Sequence, residues 1–280
     1  MATVTARETE QVERANASGK TPVVFVHGLW LLAGSWDAWG TYFEEAGFAA
    51  VAPDWPDDPA TVEEAKAKPD VFAGKTITQI ADHQAEVIHA LDKKPAVIGH
   101  SFGGLLTQII AGRGLAAASV AIDPAPFRGV LPLPVSALKA AMPVLKNPGN
   151  WNRAVGLSYE QFRFAFANAV DEQEARQLYD AYSVAGSGKP LFQAATANIN
   201  PGTEARVNTK NPARGPLLIV DGEKDNTVPW AIANASFKKQ RHNPGVTEIR
   251  KVGGRGHSLT IDSGWREVAQ ISLDFVKRYV

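Results

Sequence analysis

The sequence predicts an α/β protein, a parallel sheet with helices on both faces. Six strand-like segments lie at residues 22–26, 48–51, 95–98, 116–122, 216–220 and 246–252, and each is joined to the next through sequence with helical character. The first, Pro22-Val23-Val24-Phe25-Val26, is apolar throughout, as a parallel strand covered on both faces should be. Right-handed crossovers would stack such strands into one sheet. With 280 residues, 45% apolar and 21% charged, the chain suits one large domain or a domain with an insertion, and its core needs no staples.

Composition narrows the function classes. Lysine plus arginine equals aspartate plus glutamate at 29 each. No global field then draws in nucleic acid or a membrane, and neither is expected as a partner. The chain has no cysteine, which excludes disulfides, thiol catalysis and thiolate metal sites. The first residues, Met1-Ala2-Thr3-Val4-Thr5-Ala6-Arg7-Glu8, lack the apolar core of a signal peptide, and no apolar run approaches the ~20 residues of a membrane span. A soluble cytoplasmic protein is the expectation.

The elements follow in order. Residues 1–20 read as a polar N-terminal extension ending in the linker-like Ala17-Ser18-Gly19-Lys20. The first strand ends at His27-Gly28-Leu29-Trp30, where glycine lets the backbone turn beside whatever sits above the sheet. Ser35 is placed as N-cap of a helix bearing Trp36, Trp39 and Phe43 on one face and stopped by Gly47. Residues 57–69 read as a surface excursion. The P-loop-like Gly74-Lys75-Thr76 fails as a phosphate site because the position of its first glycine is Pro69 and no strand precedes it. Thr76 is read as the N-cap of a helix with Ile77, Ile80, Ala81, Val87, Ile88 and Leu91 near one stripe, which leaves His83 and His89 as solvated surface residues.

Between residues 127 and 212 the alternation of strand and helix lapses into helical signals, including the capping-box patterns Ser158-x-x-Gln161 and Asp171-x-x-Glu174. This block, rich in Tyr159, Phe162, Phe164, Phe166 and Phe192, reads as a helical cap (lid) over the sheet's edge. The core is then 21–126 and 213–280. Alternation resumes at residue 216, and the last helix carries Trp265, Val268, Ala269, Ser272, Phe275, Val276 and Tyr279 on a 3.6-residue stripe.

Chemistry concentrates at Gly99-His100-Ser101-Phe102-Gly103-Gly104, where an apolar strand meets a helix-compatible stretch (Leu105, Leu106, Ile109, Ile110). Strand, sharp turn and helix in that order are the context of a nucleophile elbow, which lifts a serine hydroxyl above a sheet. The Phe102 N–H would open the helix without an intrahelical partner and could bind an oxyanion, with Leu29 N–H as the second donor. A serine needs an imidazole to take its proton, and the imidazole needs a carboxylate to fix its tautomer. His257, in the loop Gly253-Gly254-Arg255-Gly256-His257, is the base this order offers. Three acids stand near strand ends, Asp225, Asp221 and Asp123; Asp225 is preferred because extra loop residues carry it outward.

With these motifs together, the chain resembles the α/β-hydrolase superfamily of the serine esterase and lipase type. The matching residues are His27-Gly28, Gly99 to Gly104, Gly222-x-x-Asp225-x-x-Val228-Pro229 and Gly256-His257. The resemblance implies a mostly parallel sheet flanked by helices, a cap before the strand that precedes the acid, a triad of Ser101, Asp225 and His257, and an oxyanion hole from the Leu29 and Phe102 amides. The family's antiparallel edge hairpin has no counterpart in the N-terminal residues. A small-molecule ester substrate and no metal or organic cofactor are the further implications, with a carboxylesterase acting on small to medium apolar esters as the leading function. A cofactor-free perhydrolase (haloperoxidase-like) or lyase on the same triad, or a ligand-binding receptor, are the alternatives. Trp30, Phe127, Phe162, Phe166 and Val228 are the expected substrate-binding residues.

Overall fold

The computed structural model describes residues 4–280. In chain order it contains α1 (Ala6–Ser18), β1 (Pro22–Val26), α2 (Asp37–Glu45), β2 (Ala49–Val51), α3 (Val62–Ala67), α4 (Ile77–His89), β3 (Ala96–His100), α5 (Phe102–Gly112) and β4 (Ala118–Ile122). There follow α6 (Val135–Leu145), β5 (Ala154–Val155), α7 (Tyr159–Ala165), α8 (Glu172–Tyr182), β6 (Gly186–Ser187), α9 (Gly188–Ala195), β7 (Leu217–Gly222), α10 (Trp230–Gln240), β8 (Thr247–Val252) and α11 (Trp265–Lys277). Six strands form one sheet in the order β2-β1-β3-β4-β7-β8. Every pairing in it is parallel. The four inner strands are buried along their whole length, which is why their sequences do not alternate.

Helices cover both faces. On one, α2, the turn before it and α11 bury Trp36, Trp39, Phe43, Leu273 and Phe275 against Phe25, Ile98, Val120 and Val220. On the other, α4 and α5 bury Ile80, Val87, Leu106 and Ile110 against Val24 and Val97. The segment between β4 and β7 holds α6 to α9, loops, and the two-residue strands β5 and β6, which pair antiparallel. No helix among the described residues is long and apolar enough to cross a membrane.

Several sequence expectations need correction. Ser35 does not cap α2: it lies in a 3₁₀ turn, Ala33–Trp36, and its hydroxyl donates to the Leu32 carbonyl at 2.7 Å. Within the polar N-terminal extension, residues 6–18 form α1, whose capping box joins Thr5 and Glu8. This helix packs against β2 and α4. It thereby covers the edge strand of a sheet that has no antiparallel hairpin. His83 is accordingly not solvated. Its Nε2 lies 2.7 Å from Glu8 Oε1, both side chains are buried, and Glu8 also accepts from the Asp54 N–H at 3.1 Å. Residues 57–69 carry α3, and the Asp58 side chain is buried against Lys75 Nζ at 3.1 Å. Burial pushes this carboxyl up to about 7 against the pull of the Lys75 ammonium. Thr76 caps α4 as expected, with Gln79 completing the box, and His89 is exposed.

Candidate active site

Ser101 stands between β3 and α5 with φ +57° and ψ −119°. A non-glycine residue held in so sparsely populated a region costs about 1–3 kcal/mol, so the surroundings must enforce it. They do so by close approach. A Cβ on Gly103 would fall 2.0 Å from the Val26 carbonyl oxygen, so only glycine lets α5 start this near β1. The Ser101 N–H donates to the Ile122 carbonyl at 2.9 Å, which ties the turn to β4.

His257 is fully buried, with Nε2 3.0 Å from Ser101 Oγ and Nδ1 2.6 Å from Asp225 Oδ2. The other Asp225 oxygen accepts from the Thr227 and Val228 N–H groups at 2.6 and 2.9 Å. Three N–H groups thus converge on one carboxylate, as suits an anionic acceptor. The loop holding His257 is anchored just past the ring: the Ser258 N–H donates to Phe166 O at 3.0 Å, and Trp39 Nε1 donates to Thr260 O at 2.8 Å. A hydroxyl, an imidazole and a carboxylate at these distances can move the serine proton to Nε2 while the carboxylate stabilises the cation that forms.

The two other candidate acids are close but differently employed. Asp123 Oδ2 lies 3.7 Å from His257 Nδ1, beyond hydrogen-bond reach, and its Oδ1 accepts from the Gly222 N–H at 2.8 Å. Complete burial, then the charges of Asp225 and Asp221, push the Asp123 carboxyl well above the ordinary range. Burial, then the Asp225 charge, pushes Asp221 up to about 8 against the pull of Lys251, and neither of its oxygens has a partner among the described residues. His100, whose ring lies 4.5 Å from that of His257, is held well below its ordinary pKa by burial and then by the His257 charge. His100, Asp123 and His257 bring ligand-type atoms within 4.8 Å of one another. Both nitrogens of His257 already face Ser101 and Asp225, so a metal there would compete with that chain of hydrogen bonds.

Gly28 lies against the serine turn: a Cβ there would sit 2.9 Å from Ser101 Cβ and 3.4 Å from the Phe102 nitrogen. The N–H groups of Leu29 and Phe102 have no acceptor among the described residues. His27 Nδ1 lies 3.0 Å from the Gly28 carbonyl, which belongs to the same peptide as the Leu29 N–H. Burial lowers His27 to about 4, so this imidazole is neutral near pH 7, with Nδ1–H donating to that carbonyl.

A cavity of about 100 Å³ opens beside Ser101 and Phe102. Trp30 and Val228 line it, as expected from the sequence. Phe127, Phe162 and Phe166 do not. They are buried in the core, where Phe162 and Phe166 stack at 5.0 Å and Phe166 meets the His257 ring edge-on at 4.8 Å. The walls are instead alanines, leucines and prolines, chiefly Leu133, Ala137, Leu138, Ala141, Leu191 and Ala194, with Ile232 from α10. Small apolar residues leave a hollow where aromatics would fill it. Sequence reasoning weighted aromatic surplus and passed over Ala140-Ala141 and Ala194-Ala195, the small-residue pairs that mark the wall.

A model of the alpha/beta hydrolase family matches residues 23–271. The chain belongs to the alpha/beta hydrolase family. Its matched span includes β1, the serine turn, the Asp225 loop and the His257 loop. Among solved structures, an extracellular α/β-hydrolase from a Paenibacillus species superimposes with TM-score 0.64 at 19% identity, covering 91% of this chain and 98% of its own. A monoacylglycerol lipase from Paleococcus ferrophilus gives TM-score 0.62 at 18% identity, covering 92% and 95% respectively. A pyrethroid hydrolase from Sphingobium faniae gives 0.62 at 16%, covering 92% and 97%. At such identities the likeness is one of fold. No curated protein sequence matches this chain.

Proposed function

We propose that this alpha/beta hydrolase family member is a carboxylic ester hydrolase that acts on small to medium apolar esters through an acyl-enzyme on Ser101. The observation that carries the reading is the unbroken chain Ser101 Oγ to His257 Nε2 at 3.0 Å and His257 Nδ1 to Asp225 Oδ2 at 2.6 Å. Ser101 Oγ attacks the ester carbonyl as its proton passes to His257 Nε2. Asp225 stabilises the imidazolium and keeps Nδ1 protonated. The carbonyl electron pair moves onto oxygen, where the Leu29 and Phe102 N–H groups receive it. Collapse of the tetrahedral intermediate breaks the ester C–O bond, and His257 returns its proton to the leaving alcohol. Water then repeats the sequence on the acyl-serine and releases the acid.

The cavity supports the substrate class. Its walls offer no charged side chain, and an apolar pocket disfavours an ionised acyl group, which would leave water unpaired. Residues 127–212 supply much of that wall, and we read them as the cap that sets acyl length. The similar lipase and pyrethroid hydrolase agree with hydrolytic chemistry. A chain-length panel of p-nitrophenyl esters, with Ser101→Ala as control, tests the proposal. Turnover of short and medium neutral acyl groups is expected, lost in Ser101→Ala and at least tenfold slower for an ω-carboxylate acyl group of equal length. Equal rates for neutral and charged acyl groups would overturn the apolar reading; turnover in Ser101→Ala equal to the parent would overturn the nucleophile.

A further inference from the structure

The balanced total charge conceals an uneven distribution. Of the nine large apolar side chains exposed among the described residues, seven lie between Leu131 and Ile199: Leu131, Leu133, Val135, Leu138, Met142, Trp151 and Ile199. Folding brings them together, since α6, the 3₁₀ turn Pro148–Asn152 and α9 pack on one another. Asn198 exchanges hydrogen bonds with the Gly129 N–H and the Val130 carbonyl at 2.7 and 2.8 Å, which sets Ile199 beside the turn leading to Leu131. Leu133 and Leu138 are 71% and 41% exposed and also line the cavity, so the apolar patch reaches its mouth.

The segments that carry this face are rich in positive charge. Residues 124–159 hold Arg128, Lys139, Lys146 and Arg153 and no aspartate or glutamate, and residues 183–203 hold Lys189 and again no acid. Arg128, Lys139, Lys146 and Arg153 are exposed, and none pairs with a carboxylate among the described residues. Apolar tips among unpaired cations are the chemistry that seats a protein in the headgroup region of an anionic lipid surface. An exposed apolar patch of this kind marks an interaction site, and the positive charge along its segments selects the partner.

We propose that this face docks on lipid surfaces rich in anionic headgroups, with the cavity mouth turned toward the lipid. This proposal departs from the expectation of no membrane partner, which rested on the total charge. Docking is independent of the chemistry proposed above. It is therefore measured on Ser101→Ala, where a failure of the catalytic reading cannot alter it, by co-sedimentation with phosphatidylglycerol and with phosphatidylcholine vesicles at low and high salt. Expected are binding to phosphatidylglycerol that weakens with salt, at least tenfold poorer binding to phosphatidylcholine, and a loss of at least about fivefold in each of Lys146→Glu and Arg153→Glu. Leu131→Asp with Val135→Asp should abolish binding. Neither residue lines the cavity, so in the parent background this pair should keep the soluble-ester turnover and the melting temperature. Equal binding to both lipids, binding unchanged by the two aspartates, or a dimer in sedimentation velocity that those aspartates dissociate would each overturn the proposal.

Discussion

His257 Nδ1 has two carboxylates within 4 Å, Asp225 at 2.6 Å and Asp123 at 3.7 Å. Only the first is within hydrogen-bond distance, and only the first also holds two backbone N–H groups. Burial, then its acidic neighbours, raise the Asp123 carboxyl and favour its neutral form, whose shape an amide shares. Its Oδ1 could still accept from the Gly222 N–H. Asp225→Asn should therefore lower kcat by about 10⁴-fold, the order seen when a serine protease loses the same group, while Asp123→Asn stays within about tenfold of the parent. Steady-state kinetics of both variants decides this. A crippled Asp123→Asn beside a normal Asp225→Asn would reassign the acid. That Asp225 could be singled out in the sequence at all follows from its loop position past β7. That Asp123 approaches the same ring depends on the β4 and β7 register, which pairs Ile122 with Val220 and which no local pattern reports.

At the scale of elements, the turn from β3 into α5 and the helix α1 show what sequence can and cannot reveal. The turn depends on glycines that admit close backbone approach. Gly103→Ala would put a methyl 2.0 Å from Val26 O, and folded protein should be lost in expression and circular dichroism; a variant that melts within a few degrees of the parent would contradict that contact. This turn was legible because strand, glycine, serine and helix are adjacent in sequence. Helix α1 was not, although its Thr5-x-x-Glu8 capping signature is present, because it is polar overall and buries only the narrow stripe Glu8, Val12 and Ala15. Missing α1 also left His83 misplaced, since Glu8 is what covers it. The cavity escaped because alanines carry no signal of a wall.

The same pair has a pH signature. Burial alone would raise Glu8, but hydrogen bonds from His83 and Thr5 outweigh it and hold the carboxyl below 4.5. Burial alone would lower His83, but the Glu8 hydrogen bond and charge, with Glu86 and Asp54, hold the imidazole above 6.5. Arg7, paired with Asp54, is the nearby cation. Glu8 thus stabilises the fold above its ordinary value, and this is lost as pH falls through its lowered one. His83 stabilises it below its ordinary value, and this is lost as pH rises through its raised one. Both contribute between about pH 4.5 and 6.5. His83→Gln should lower Tm most near pH 5.5 and least near pH 9; a Tm difference that grows with pH would contradict the assignment.

Across the whole molecule, the sheet's C-terminal edge gathers Ser101 after β3, Asp225 after β7 and His257 after β8, as open parallel sheets place their sites. The helical segment between β4 and β7 reaches the same edge. Thr227 Oγ1 donates to Ala165 O at 2.7 Å and Asn226 Nδ2 to Phe164 O at 3.0 Å, so the loop carrying the acid is fastened to α7. The arrangement predicts one activated hydroxyl in the chain. The direct measurement is intact mass after incubation with a fluorophosphonate, for the parent and for Ser101→Ala. One covalent adduct on the parent, mapped to Ser101, and none on Ser101→Ala is the expected result. Equal labelling of the two proteins, or an unlabelled parent that still turns over esters, would contradict the assignment of Ser101 as the nucleophile.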